Sequence, residues 1–234
     1  MDRYIIHMKP SLSTQFFEYL DHLSFDAILP DGIGLLNPME GNEMVRNITR
    51  QFYDLYYNDH QNRTLILGIN PGRLGGGATG IPFTDTKRLK EKCGLELGDL
   101  KTHEPSSVFV YEWIDAMGGA SSFYQKYLIH SVCPLGFTKG SVNYNYYDDK
   151  ILETLALPLI KKHLTSLLDM GFRQEVVFCL GTGKNYQFLS KLNESEKYFD
   201  RVVPLEHPRF IMQYKSKSKE AYIDQFMVKL KDFS

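Results

Sequence analysis

The feature that most constrains the fold is an alternation of short apolar runs with longer stretches of helical periodicity. Residues 64–69, 127–132, 175–180 and 201–205 are rich in β-branched and aliphatic side chains and are bounded by Gly, Pro, Asn or charge. Runs this short and this apolar read as buried strands. Between them, residues 42–58 carry Met44, Val45, Ile48, Phe52, Leu55 and Tyr56 at i, i+3, i+4 spacing. Residues 148–170 carry Ile151, Leu152, Leu155, Leu159, Leu164, Leu167 and Leu168 ahead of Gly171, a helix stop, with Pro158 predicting a kink or a split. Residues 185–192 and 219–230 predict two more helices. Strands alternating with helices imply an α/β fold whose mainly parallel sheet is covered on both faces.

Composition narrows the function more than the fold. The 234 residues show no repeat and no Gly/Ser-rich or Pro-rich linker, which predicts one domain over residues 1–234 with a helical, motif-free part over 1–60. Hydrophobic residues at 43% and charged residues at 24% exclude a disordered chain. No apolar run reaches the ~18 residues of a spanning helix. The start Met1-Asp2-Arg3-Tyr4 has no basic region followed by an apolar run, so no signal peptide is expected. Cys93, Cys133 and Cys179 are far apart, which predicts reduced, buried thiols in a cytosolic chain and excludes a four-cysteine cluster. With a net charge of -1, contact with nucleic acid has to rely on a local basic patch.

In open α/β sheets, functional residues gather beyond the carboxyl ends of the strands. Four segments stand there. The first, Gly68-Ile69-Asn70-Pro71-Gly72, continues to Thr79-Gly80-Ile81-Pro82-Phe83 and holds six glycines in thirteen positions. It lacks the Gly-Lys-Ser/Thr ending of a phosphate loop, and its Gly75, Gly77 and Gly80 start too late for a dinucleotide turn. Read alone, Asn70-Pro71-Gly72 is a turn, and Phe83 is core. The second segment, His130-Ser131-Val132-Cys133-Pro134-Leu135, predicts that His130 and Ser131 point to opposite faces. The third, Gly181-Thr182-Gly183-Lys184-Asn185, is either a plain strand–helix junction or an anion site. The fourth, Glu206-His207-Pro208-Arg209-Phe210-Ile211-Met212, leads to Lys215, Lys217 and Lys219. It is either a solvated charge run or a basic face with an apolar wedge for DNA.

Gly68-Ile69-Asn70-Pro71-Gly72, Thr79-Gly80-Ile81-Pro82-Phe83, Cys133-Pro134-Leu135 and His207-Pro208 resemble the motifs of the single-strand-selective monofunctional uracil-DNA glycosylases, in order and in spacing, and the chain is most similar in its motifs to a bacterial second subgroup of that family. The resemblance runs from about residue 63 to the C-terminus. It implies a three-layer αβα sandwich around a four-stranded parallel sheet, and hydrolysis of the N-glycosidic bond of uracil in DNA without cofactor or metal. The partner is DNA carrying a damaged base, single- or double-stranded, met by a monomer in the bacterial cytosol with no membrane. The same resemblance assigns Asn70 to orient the water and His207 to stabilise the leaving base. It implies that Ile69, Gly72, Phe83 and Ser131 bind the base, Phe83 by stacking, and Gly183, Lys184, Arg209, Phe210, Ile211 and Lys215 are expected to contact the DNA.

The target base has to be flipped out of a duplex to react. Bond cleavage leaves negative charge on it, which a positioned donor stabilises. No carboxylate occupies the first motif, so catalysis by positioning and a modest rate are expected. Two departures bear on specificity. Ser131 stands where the family commonly has an Asn that pairs with the base edge, and one hydroxyl cannot make that two-point contact. Gly72 replaces the Tyr of uracil-specific relatives and leaves room for a water or a 5-substituent. Xanthine, 5-hydroxymethyluracil and other altered bases join uracil as expected substrates. After His207-Pro208 the chain reads Arg209-Phe210-Ile211-Met212 in place of the usual Ser-Pro-Arg-Asn. Two competitors stand beside this reading: a glycosylase-like protein that binds nucleic acid without cleaving it, and a phosphate-handling enzyme built on the glycine-rich loops.

Overall fold

The computed structural model describes residues 9–232; the N-terminal stretch considered above for a signal peptide lies outside them. Four parallel strands form the central sheet: β2 (Thr64–Gly68), β3 (Tyr127–Ser131), β6 (Val177–Leu180) and β7 (Val202–Leu205), in the order β3-β2-β6-β7. Leu65 pairs with Leu128 on one side and Val177 on the other. Every residue of β2, β3 and β6 is buried. Successive side chains point to opposite faces, so burial of all of them means that helices cover both faces of the sheet. β7 closes one edge and contains Pro204, a residue suited to an edge strand.

Helix α1 (Leu12–Asp21) packs on α2 (Glu43–Tyr57) and α7 (Lys150–Met170). Asn42 caps α2 by accepting from Val45 N–H at 3.2 Å. Asp149 caps α7 at its start, and Gly171 ends it in the left-handed conformation. Of the kink or split expected at Pro158, the split does not occur: α7 runs through it as one helix. Pro158 lies on the exposed side, where water can satisfy the carbonyl it frees. Leu152, Ala156, Ile160, Leu164 and Leu167 bury the opposite face, and each leucine contributes about 1.5–3 kcal/mol, more in sum than the ~3 kcal/mol of one interior proline.

The remaining helices are α3 (Gly76–Thr79), α4 (Thr86–Cys93), α5 (Pro105–Ala116), α6 (Gly119–Tyr124), α8 (Lys184–Glu196), α9 (Pro208–Tyr214) and α10 (Lys219–Lys231). A second sheet, with no counterpart in the sequence reading, joins β1 (Ile33–Leu36), β4 (Gly136–Lys139) and β5 (Val142–Tyr144) in the antiparallel order β1-β4-β5. The first sixty residues are thus not wholly helical, since β1 lies among them. All three cysteines are buried and unbridged. No helix of the described residues is long and apolar enough to cross a membrane.

Candidate active site

A cleft of about 680 Å³ opens beyond the carboxyl ends of β2 and β7, within the size range of ligand sites. Ile69, Asn70, Gly72, Phe83, His207, Arg209 and Phe210 all line it. Residues far apart in sequence meet here because the parallel sheet turns every strand end to the same side.

Asn70 follows β2, and its amide is held at both ends. Oδ1 accepts the backbone N–H of Tyr146 at 3.1 Å, and Nδ2 donates to the carbonyl of Tyr144 at 3.3 Å. Tyr146 is itself tied down, its hydroxyl donating at 2.9 Å to Oδ1 of the buried Asn185. Asn185 in turn donates to the carbonyls of Gly68 and Leu180. The second lone pair of Asn70 Oδ1 remains for a water.

Phe83 is placed by the turn that precedes it. The buried hydroxyl of Thr79 donates to the Thr84 carbonyl at 2.7 Å and closes the turn. Gly80 has φ +73°, and a Cβ there would lie 2.1 Å from Thr49 Oγ1, so only glycine fits. Phe83 itself has φ +52°, a strained conformation for a bulky residue and one that collects at functional sites. Its ring lies 3.0 Å from where a Cβ of Gly68 would be. The bare backbone of Gly68 is what lets the ring approach the strand end so closely, 5.7 Å from the His207 ring between centroids.

His207 is the N-cap of α9, with Pro208 in the first turn, a position proline favours. Nδ1 accepts the backbone N–H of Arg209 at 3.1 Å. The proton of the neutral ring therefore sits on Nε2. Burial, and secondarily the charge of Arg209, push the imidazole down to about 4. At neutral pH His207 is an uncharged Nε2–H donor in the cleft wall.

Other expected contacts fall elsewhere. Ser131 ends β3 and is buried; it lines a separate narrow cavity with His130, Pro71 and Pro134. Its carbonyl is 3.1 Å from His163 Nε2. His130 is buried as well, because both faces of β3 are covered. Gly183 and Lys184 open α8 beyond β6 and are exposed. They do not line the cleft, and Lys184 lies over the Tyr147 ring.

The expectation for Ile211 is corrected: it is fully buried and cannot meet DNA. The segment is helical, not an extended loop, so adjacent residues point in different directions and the Phe210-Ile211-Met212 run is divided. Phe210 is exposed and lies tilted against the exposed Tyr214 ring, 5.3 Å between centroids. Lys215 and Lys217 are exposed, whereas Lys219 is bound to Glu112.

Among the cleft residues with no counterpart in the sequence reading are Asn143, Asn145 and Glu104. Asn143 and Asn145 flank Tyr144, at the end of the small sheet, where the alternation Val142-Asn143-Tyr144 after the Gly140 turn was the available signal. Glu104 stands at the N-cap position of α5 without a side-chain capping bond, and its Oε2 is sealed from solvent with no hydrogen-bond partner. Burial, then the nearby Asp85 carboxylate, push this acid up to about 7, against the opposing charge of Arg209.

A parallel α/β sheet whose strand ends carry a fixed amide, a base-sized aromatic platform and a neutral imidazole is the architecture of a base-excising enzyme. The family model of the uracil DNA glycosylase superfamily matches residues 55–231, and the chain belongs to that superfamily. Among solved structures it is similar to SMUG2 of Pedobacter heparinus, with 47% identity, a TM-score of 0.92, and coverage of 95% of this chain and 97% of that one. The bacterial second subgroup that the motifs resemble is therefore also where this structural match falls. No curated protein matches the chain in sequence.

Proposed function

We propose that the chain is a monofunctional DNA N-glycosylase that removes uracil, and also xanthine and 5-hydroxymethyluracil, from DNA. The observation that carries this is the meeting of Asn70, Phe83 and His207 in one cleft, with His207 held as a neutral donor. The flipped base stacks on Phe83. As the bond from the sugar C1′ to the base nitrogen breaks, its electron pair stays with the base. His207 Nε2–H donates to a base oxygen and stabilises that charge, as an oxyanion hole does. Water held by Asn70 Oδ1 adds to C1′ and loses its proton to solvent. An amide is a poor base, so the protein contributes position and electrostatics. No lysine lines the cleft among the described residues, which favours hydrolysis over a covalent imine. Arg209 and Phe210 border the same opening, and Lys215 is exposed just past the end of α9; the three suit phosphate contact and wedging.

Purified protein is to be incubated, with EDTA present, with oligonucleotides carrying one uracil, xanthine, hypoxanthine or 5-hydroxymethyluracil. Alkali-labile abasic sites are the expected product, and borohydride should trap no protein–DNA adduct. Binding without abasic sites on any of the four would assign the chain to damage recognition alone.

A further inference from the structure

The cleft beside Gly72 is not open. Asn143, on β5, stands there: a Cβ built on Gly72 would lie 3.1 Å from its Nδ2. Its Oδ1 accepts the backbone N–H of Arg73 at 3.0 Å. That bond fixes which way the amide faces. Rotated by half a turn, its NH2 would confront the Arg73 N–H, two donors together, and leave that N–H unsatisfied. No described residue accepts from Nδ2, and Asn143 is only half-buried in the cleft wall. The other asparagines of the cleft are committed, Asn70 as above and Asn145 through Nδ2 to Asp148 at 2.9 Å, while the one glutamine, Gln213 on α9, is exposed to solvent and has no partner among the described residues to fix which way its amide faces. Ser131 faces a different cavity.

We propose that Asn143 is a specificity-determining residue: a one-way hydrogen-bond donor that reads an exocyclic carbonyl oxygen of the base stacked on Phe83. The proposal rests on the glycosylase function put forward above and names how its substrate is chosen. Deamination turns an exocyclic amino group into a carbonyl. A free amide could turn to suit either one, but an amide locked by Arg73 offers only N–H. It therefore accepts the deaminated base and meets the parent base donor to donor. This holds for pyrimidines and purines alike, since both gain an oxygen on deamination.

The test is a cycle between the residue and the oxygen. Single-turnover excision is measured on uracil and on 2-pyrimidinone, which lacks the second carbonyl oxygen, for the wild type, Asn143→Ala and Asn143→Asp. Differences in leaving-group quality cancel in the ratio between proteins. Asn143→Ala should lose about 10–100-fold on uracil and little on 2-pyrimidinone, the scale of losing one hydrogen bond to substrate. Asn143→Asp keeps the shape and the acceptor for Arg73 N–H but has no donor, so it should show the same lost preference even though the loop is held. If Asn143 only braced the Arg73 loop, Asp would restore both substrates equally. That result, or an unchanged uracil-to-pyrimidinone ratio in both variants, overturns the proposal while the glycosylase function stands. A wild-type protein inert on every base overturns both.

Discussion

The two walls of the cleft are built differently. The wall after β2 is tied at nearly every step: Asn70 at both ends of its amide, Thr79 through its hydroxyl, Phe83 by a turn that admits only glycine at position 80. The wall formed by α9 is tied along one stripe, with Pro208 and Ile211 in the core and Arg209, Phe210, Gln213 and Tyr214 left to solvent. A group that holds a water or a base must be placed within fractions of an ångström, and over-determined geometry provides that. A group that meets DNA of any sequence needs an exposed, adaptable surface. His207 belongs to the first kind although it starts the second wall, because the Arg209 N–H fixes its ring.

The contrast is broken most directly at its rigid end. Asn70→Ala removes the water-orienting amide, and His207→Ala removes the donor to the leaving base. Each should lower the single-turnover rate on uracil by ~10²–10³ with DNA affinity little changed. Near wild-type turnover for both variants would show that the tied wall does not carry the chemistry.

Neighbouring residues on α9 sharpen the contrast next. Ile211→Ala should cost about 2–5 kcal/mol of stability, as for any fully buried aliphatic truncation, and lower activity equally on every substrate. Phe210→Ala should change stability by no more than ~0.5 kcal/mol yet slow excision from stable base pairs more than from single strands, whose bases cost less to unstack. Thermal melting and the two rates together distinguish a wedge from a core contact. Equal loss on paired and single-stranded substrates for Phe210→Ala would leave α9 without a wedge.

The buried sheet was legible because apolar runs of four to six residues have few other uses, and the four runs became β2, β3, β6 and β7 with their ends moved by a residue or two. Asn70, Phe83 and His207 were legible through motif and through the rule that strand ends hold sites. The division of Phe210 from Ile211 was not, since three apolar residues in a row carry no period. Nor was Asn143: a lone Asn on a three-residue strand gives no sign that a backbone N–H 70 residues earlier will lock its amide. The continuity of α7 through Pro158 was misjudged from local propensity, which the packing of its buried face overrides.

Glu104 lies where the two walls meet. A Cβ on Gly75, from the first wall, would lie 1.8 Å from its Oε2, while Arg209, from the second, acts on its charge. Desolvation and Asp85 hold the acid at about 7 in the folded protein, against roughly 4.3 for an unperturbed glutamate. The folded state thus keeps a proton that the unfolded chain releases between those values. Stability contributed by this group is complete below about pH 4 and is lost as pH rises towards 7. Glu104→Gln is neutral throughout and has no such loss. The variant should match the wild type in melting temperature near pH 4 and exceed it by a few degrees, ~2–4 °C per kcal/mol for a chain of this size, at pH 8. Above pH 7 the same substitution removes a negative charge beside Arg209, so affinity for undamaged DNA should rise and its salt dependence steepen. A melting difference that does not grow with pH would mean that the carboxylate is satisfied where the two walls join, and that its buried oxygen carries no penalty.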